Sequence, residues 1–328
     1  MMLLVLAALA PVVIAHLLCF GWGILVNILL AVSSALVSEA FALKLRGKPV
    51  QPFVTDGSAI VGAVLLSLAL PPLAPWWITV SGAAFAMLVA KHLYGGLGYN
   101  VFNPAMAGYA ALLVSFPVHM TRWLLPAGLT TTDLSLTQTV HIIFSGQLPL
   151  ELTWDALSGA TPLATVRAGL ILRATMDEIH AQPLFTSIVG AGTVGTGWWW
   201  VSLAAFVGGI VLLATRVIRW QIPVAMLVAT FVCAMFMHAL DPGRYSTASF
   251  HLLTGATMIG AFFIATDPVS AATSDRGRLI YGAGIGVLAY AIRAWGGYPD
   301  GVAFAVLLMN AAVPLIDRYT VPRVYGRP

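Results

Sequence analysis

One short stretch of this 328-residue chain has residue types that could hold a phosphoester: "DALSGATPLATVR", residues 155–167. Thr161 brings a hydroxyl and Pro162 follows it. A residue before proline is pushed toward extended backbone, and Thr followed by Pro suits the N-cap and first position of a helix. On the plainest reading Thr161 only satisfies a backbone N–H. The same geometry also suits an anion, because the free N–H groups and the dipole of a helix start point outward. A phosphoester on the Thr161 oxygen would sit there. Gly159 and Ala160 leave room beside it, and Arg167 is available to balance charge.

Other residues suggest ion or metal chemistry less specifically. Glu39 lies inside an apolar segment, while Asp56 and Asp267 sit beside the ends of two others. Carboxylates within a membrane are costly and mark ion or proton paths. For Glu39 a second reading stays open, a pairing with Lys44 or Arg46 near the headgroups. Cys19 and Cys233 have no CxxC spacing, and two thiols cannot ligate an iron–sulfur cluster that needs four; both are expected as small packing residues with no disulfide. The seven histidines show no HxxxH or HxH pattern, which argues against a metal site. A lone "NPA" at Asn103–Ala105 has Asn310-Ala311-Ala312 at the matching place in the second half, so a paired pore motif is missing. Asn103 is expected to cap a helix that begins at Pro104.

The elements that must position these residues are membrane helices. The chain is 59% hydrophobic and 9% charged, whereas soluble domains run near one quarter charged. Ten apolar segments are legible, at about 2–19, 21–43, 57–71, 75–90, 104–117, 197–215, 222–239, 250–266, 279–294 and 301–316. Several are short and flanked by Gly and Pro, which predicts broken or re-entrant helices. With the N-terminus in the cytoplasm and ten alternating spans, the inner loops and tail hold Lys44, Arg46, Lys48, Lys91, Arg216, Arg219, Arg276, Arg278, Arg318, Arg323 and Arg327. The short outer connections hold only Arg244 and Arg293. That asymmetry fits the positive-inside rule, and it accounts for the +4 net charge without any nucleic-acid partner.

An internal repeat organises the spans. "GSAIVGA" from Gly57 matches "GATMIGA" from Gly255, and "LYGGLGYN" from Leu93 is similar to "AWGGYPDG" from Ala294. Five spans per copy would invert the second copy relative to the first. The expected fold is an all-α integral membrane protein of about ten transmembrane helices in two inverted five-helix repeats. Its parts are a first repeat over 1–117, an outward-facing loop subdomain with at least one helix over 118–183, and a second repeat over 184–328.

"SGAT" preceded by Asp155 resembles the flavinylation motif of membrane subunits in Rnf-type ion-translocating oxidoreductases and sodium-pumping NADH:quinone reductases. "KHLYGGLGYNVFNPAMAGYAALLVSFP" from Lys91 and "PDGVAFAVLLMNAAVPLIDRYT" from Pro299 are similar to other parts of that family. The resemblance covers nearly the whole chain and is nearest to the D-type membrane component of Rnf complexes.

It implies FMN joined through its phosphate to Thr161, with Asp155, Ser158, Gly159 and Ala160 completing the motif and Arg167 as a phosphate contact. It also implies a flavin transferase acting outside the cytoplasm, and a second, non-covalent flavin, riboflavin. The charge count puts both termini in the cytoplasm, while urea-channel-type repeats and a bacterial inner membrane location follow from the same likeness. So do partner subunits that include another flavin-bearing subunit and iron–sulfur subunits, with a ferredoxin–NAD couple driving Na+ or H+. The other readings are a B-type subunit of the quinone reductase, whose longer cytoplasmic N-terminus has no match here, and a urea-channel-like solute channel without a redox role.

Overall fold

The computed structural model describes residues 1–130, 133–150, 152–186, 194–195 and 197–320. Glu151, Arg323 and Arg327 lie outside them. Every one of the ten apolar segments falls on helix. The first half holds α1 (Met2–Phe20), α2 (Gly23–Leu45), α3 (Ser58–Ala69), α4 (Trp76–Phe85) and α5 (Pro104–Ser115). Between the halves lie α6 (Leu136–Ser145) and α7 (Pro162–Ile171). The second half holds α8 (Trp198–Ala214), α9 (Gln221–Leu240), α10 (Ala248–Leu253), α11 (Asp275–Trp295) and α12 (Val302–Thr320). Four of these, α1, α2, α9 and α12, are long and apolar enough to cross a membrane. Exposed side chains such as Leu3, Leu18, Leu29, Val228 and Phe236 cover their outer faces, as a hydrocarbon solvent permits. The chain is an all-α membrane protein.

Short and interrupted helices occur among these segments, as runs flanked by Gly and Pro lead one to expect. α3 starts after Gly57 in left-handed backbone (φ 82) and stops before Pro71-Pro72. The eighth segment breaks in two. α10 ends at an extended Thr254, Gly255 turns at φ 62, and the chain resumes over Thr257–Ile259 and a π turn, Gly260–Ile264. The first glycines of the two repeat motifs thus share a left-handed conformation. The later pair does not match, since Gly95 and Gly96 have positive φ while Gly296 is at φ −76. A second π turn, Ala86–His92, extends α4.

Packing partners recur in the same order in both halves. α2 packs on α3 and α4 as α9 packs on α10 and α11, and α4 meets α5 as α11 meets α12. The halves join where α1 lies against α8 and α5 against α12. One continuous apolar core draws on both halves, from Ala8 and Leu66 to Ala205 and Val306.

Among the described residues, the segment between the halves packs in two small clusters outside that core. α6 starts from a capping box, Ser135 with Gln138, and seats Ile142 and Ile143 on Val26 and Leu73. α7 and the turn Met176–His180 pack Leu163, Val166, Met176 and Ile179 around Phe250 of α10. Two short strands, β1 (Trp123–Leu124) and β2 (Ser158–Gly159), pair antiparallel with Trp123 opposite Gly159.

Candidate functional site

The strand pair aims the chain at Thr161. Leu125 N–H donates to the Leu157 carbonyl at 3.0 Å, and the Ser158 hydroxyl donates to the Trp154 carbonyl at 2.7 Å. The Arg122 guanidinium lies over the Trp154 ring, 4.4 Å from its centroid, which ties the two strands at their open end. A Cβ on Gly159 would come within 2.4 Å of Leu125 Cδ2. On sequence alone Gly159 suggests room for a bulky group. In the fold, the Leu125 side chain lies in the space beside it. Asp155 and Ala160 are exposed.

Thr161 is the N-cap of α7, with φ −65 and ψ 159, and Pro162 takes the first helical position. Its Oγ1 accepts from Ala164 N–H at 3.3 Å. The side chain is half-buried and opens onto a cavity of about 130 Å³ where the two halves meet. Around it stand Trp123, Trp198, Tyr109, His16 and Asp300. Trp123 and Trp198 have ring centroids 5.0 Å apart, so a broad aromatic wall faces the threonine. Of the motif residues, Thr161 alone lines this cavity. Arg167 lines a neighbouring, larger cavity instead. Six residues along a helix turn a side chain by about 240°, so α7 presents the two residues to different chambers.

The polar wall opposite Thr161 is not evident from the sequence. Asp300 Oδ1 accepts from Arg293 Nη2 at 3.0 Å, and Oδ2 accepts from Ala256 N–H at 2.7 Å. Arg293 also donates to the carbonyls of His251 and Thr254, so one ion pair fixes the break in the eighth segment. Gly255 has to be glycine, because a Cβ there would lie 2.4 Å from Asp300 Oδ2. The available signal is an Arg near the end of the ninth apolar segment and an Asp seven residues on, in a charge-poor chain.

The acidic residues gather at the opposite end of the molecule. Glu39 is 1% exposed. Its partner is neither Lys44 nor Arg46: Lys91 Nζ donates to Glu39 Oε1 at 2.6 Å, and His92 Nε2 lies 3.3 Å from the same oxygen. Lys44 is exposed, and Arg46 donates to the His92 carbonyl at 2.8 Å. The headgroup pairing is therefore replaced by a buried one. The physical reason is the π turn, which carries Lys91 and His92 at the end of α4 and packs against α2.

Ser58 Oγ links this pair to Asp56, accepting from Lys91 Nζ at 2.8 Å and donating to Asp56 Oδ1 at 2.6 Å. Asp267 accepts from Ser270 Oγ at 2.8 Å and lines a cavity of about 170 Å³ with Ser58, Lys91, Asn100 and Asn103. The structure thus brings Glu39, Asp56 and Asp267 around one lysine, which their sequence positions do not reveal. Glu39 Oε2, His92 Nδ1 and Asn100 Oδ1 are buried without hydrogen-bond partners. Asn103 caps α5 as expected, accepting from Met106 N–H. Its own N–H donates to Asn310 Oδ1 at 3.1 Å. Cys19 and Cys233 are half-buried thiols on different helices.

Comparison with known proteins adds to this geometry. The family model described as "NQR2, RnfD, RnfE family" matches residues 1–326. The chain is 51% identical to the D component of the ion-translocating oxidoreductase complex of Aeromonas hydrophila, over 99% of this chain and 94% of that protein. It is 50% identical to the protein of the same name from Aliivibrio salmonicida, over 99% and 93%. To the one from Shewanella amazonensis it is 50% identical, over 94% and 88%.

Proposed function

The chain belongs to the NQR2, RnfD, RnfE family, and we propose that it carries electrons through FMN esterified to Thr161 within a redox-driven ion pump. It is a membrane subunit of an ion-translocating oxidoreductase complex, as its relatives are named. Its electron donor and acceptor are other subunits, among them a second flavin-bearing subunit and iron–sulfur subunits, in a chain that links ferredoxin and NAD to Na+ or H+ movement.

The observation that carries this reading is the setting of one hydroxyl. Thr161 is a helix N-cap at the edge of an aromatic-walled cavity between the halves. FMN, when bound, supplies one- and two-electron transfer; the protein sets its position and potential. Thr161 holds the phosphate at the first turn of α7, where backbone N–H groups and the dipole stabilise negative charge. Trp123, Trp198 and Tyr109 offer flat faces to a ring system and keep water away from it. The exposed Asp155 and Ala160 leave the motif open to a flavin transferase. In the proposed orientation both termini are cytoplasmic and this loop lies outside the inner membrane, where that enzyme works.

For the second flavin, a non-covalent riboflavin, the cavity beside Lys91 is the matching place. Asn100 Oδ1 is buried there without a donor, and Asn103, Phe262 and Phe263 stand in the same walls. The Glu39, Asp56 and Asp267 carboxylates near Lys91 are placed to serve an ion path.

The test is covalent labelling. A denatured wild-type band made alongside the flavin transferase fluoresces under ultraviolet light, and Thr161→Ala is dark while still inserting. Thr161→Ser keeps partial labelling, and Thr165→Ala stays bright. A bright Thr161→Ala band, or a dark wild type, overturns the reading.

A further inference from the structure

The chamber next to the Thr161 cavity has a different chemistry. It encloses about 730 Å³ between α7, the ends of α9 and α11, and the turn that follows α7. Arg167, Arg173 and Arg244 line it, and among the described residues none of the three has an ion-pair partner in the chain. Arg173 and Arg244 are exposed at its rim. Arg293 also reaches it, but Asp300 balances that charge. Asp241, the one unpaired carboxylate in the lining, turns to its own loop and accepts from Gly243 N–H. The rim is therefore cationic.

Two buried polar atoms in its lining residues have no partner. Tyr290 is 2% exposed and His251 7%. The Tyr290 hydroxyl and His251 Nδ1 make no hydrogen bond. Leaving such a group unsatisfied is costly, and native proteins seldom do so. The opposite wall is apolar, formed by Leu163, Val166, Leu170 and Phe250. Trp295, 60% exposed at the end of α11, marks the interfacial level at which such rings collect.

We propose that this chamber binds a phosphate-bearing anion, supplied by the bilayer as the head of an acidic phospholipid. The phosphodiester lies among the guanidinium groups of Arg167, Arg173 and Arg244, whose planar forks suit phosphate oxygens. Headgroup hydroxyls, as in phosphatidylglycerol, meet Tyr290 and His251. The acyl chains follow the apolar wall into the membrane. A free phosphate ion shares the anionic chemistry but would leave most of the volume and the apolar wall unused. Basic pockets between membrane helices recognise acidic lipid heads in this way.

The test uses the full chain in its assembled complex. Native mass spectrometry counts retained phosphatidylglycerol for wild type, Arg173→Gln/Arg244→Gln and Tyr290→Phe, and titration with phosphatidylglycerol or phosphatidylcholine gives relative affinities. Thermal midpoints check that each variant is folded. Wild type is expected to retain one more phosphatidylglycerol than the double variant and to prefer it over phosphatidylcholine. The double variant should bind it at least about tenfold more weakly, and Tyr290→Phe about threefold more weakly. Equal retention by wild type and a folded double variant overturns the site. Displacement of the lipid by millimolar inorganic phosphate overturns the lipid as its source. Retention is expected unchanged in Thr161→Ala, which separates this site from the flavin. A changed count there would mean that the flavin phosphate occupies the chamber and would overturn the proposal.

Discussion

At the scale of single residues, Gly159 and Lys91 have roles that the fold reveals and the sequence does not. Gly159 pairs with Trp123 and lies against the Leu125 side chain, whose Cδ2 an added methyl group would meet at 2.4 Å. Gly159→Ala should displace the Leu125 side chain and disturb the approach to Thr161, so in-gel flavin fluorescence should fall. Leu125→Ala in the same chain should restore it by removing the clash. Full labelling of Gly159→Ala alone would show that the strand pair does not position the threonine. Lys91 is 3% exposed and bonded to a 1% exposed Glu39. Breaking a buried ion pair leaves an uncompensated charge at a cost of about 3–5 kcal/mol. Lys91→Met should therefore lower the thermal midpoint in detergent sharply, and adding Glu39→Gln should recover much of it. Glu39→Gln alone tests the ion path, which predicts slower ion-coupled turnover with bound flavin unchanged. Normal turnover would leave the pair a purely structural role.

The helices are the scale at which the sequence was most legible. Ten apolar runs, the presence of short and broken helices and the Asn103 cap follow from composition and local chemistry, because a membrane selects strongly for apolar length and local rules govern caps. The Glu39–Lys91 pair was not legible. The two residues are 52 positions apart, and a π turn alters the phase that ordinary helical periodicity assumes. The close approach of α9 and α11 is visible only in the fold, because the partner of a helix face cannot be read from one helix. In the structure, a Cβ on Gly282 would lie 2.6 Å from the Ile222 carbonyl oxygen, and one on Gly286 would lie 2.4 Å from that of Met226. The four-residue steps match on both helices, as small residues at membrane helix interfaces allow. Gly286→Val should force the pair apart, at about 1–3 kcal/mol or more. Lower yield and a lower thermal midpoint of the purified protein would register it. Gly297→Ala is the control, because nothing lies within 4 Å of a Cβ there. Equal effects of the two changes would refute the tight interface.

At the scale of the whole molecule, two asparagines tie the halves together. Asn310 accepts from the Asn103 N–H and donates to the Ser270 carbonyl at 3.0 Å and to the Tyr281 hydroxyl at 2.7 Å. Asn103 donates in turn to the Ile264 carbonyl. Asn310→Leu would strand three buried polar groups at about 1–3 kcal/mol each. Limited proteolysis should then cut between the halves faster than in wild type, while Asn310→Asp, which keeps the acceptor for Asn103, should be milder. Unchanged proteolysis in Asn310→Leu would mean that apolar packing alone joins the halves. The other seam, α1 against α8, fits so closely that a Cβ on Gly208 would lie 2.2 Å from the Ala8 carbonyl oxygen. These two helices are separated by the rest of the first half and all of the segment that holds Thr161. A ribosome adding about 5–20 residues per second needs roughly ten seconds to half a minute to travel from one to the other. For that time α1 waits in the bilayer with the face that α8 will cover still open, so a helix made early is seated late.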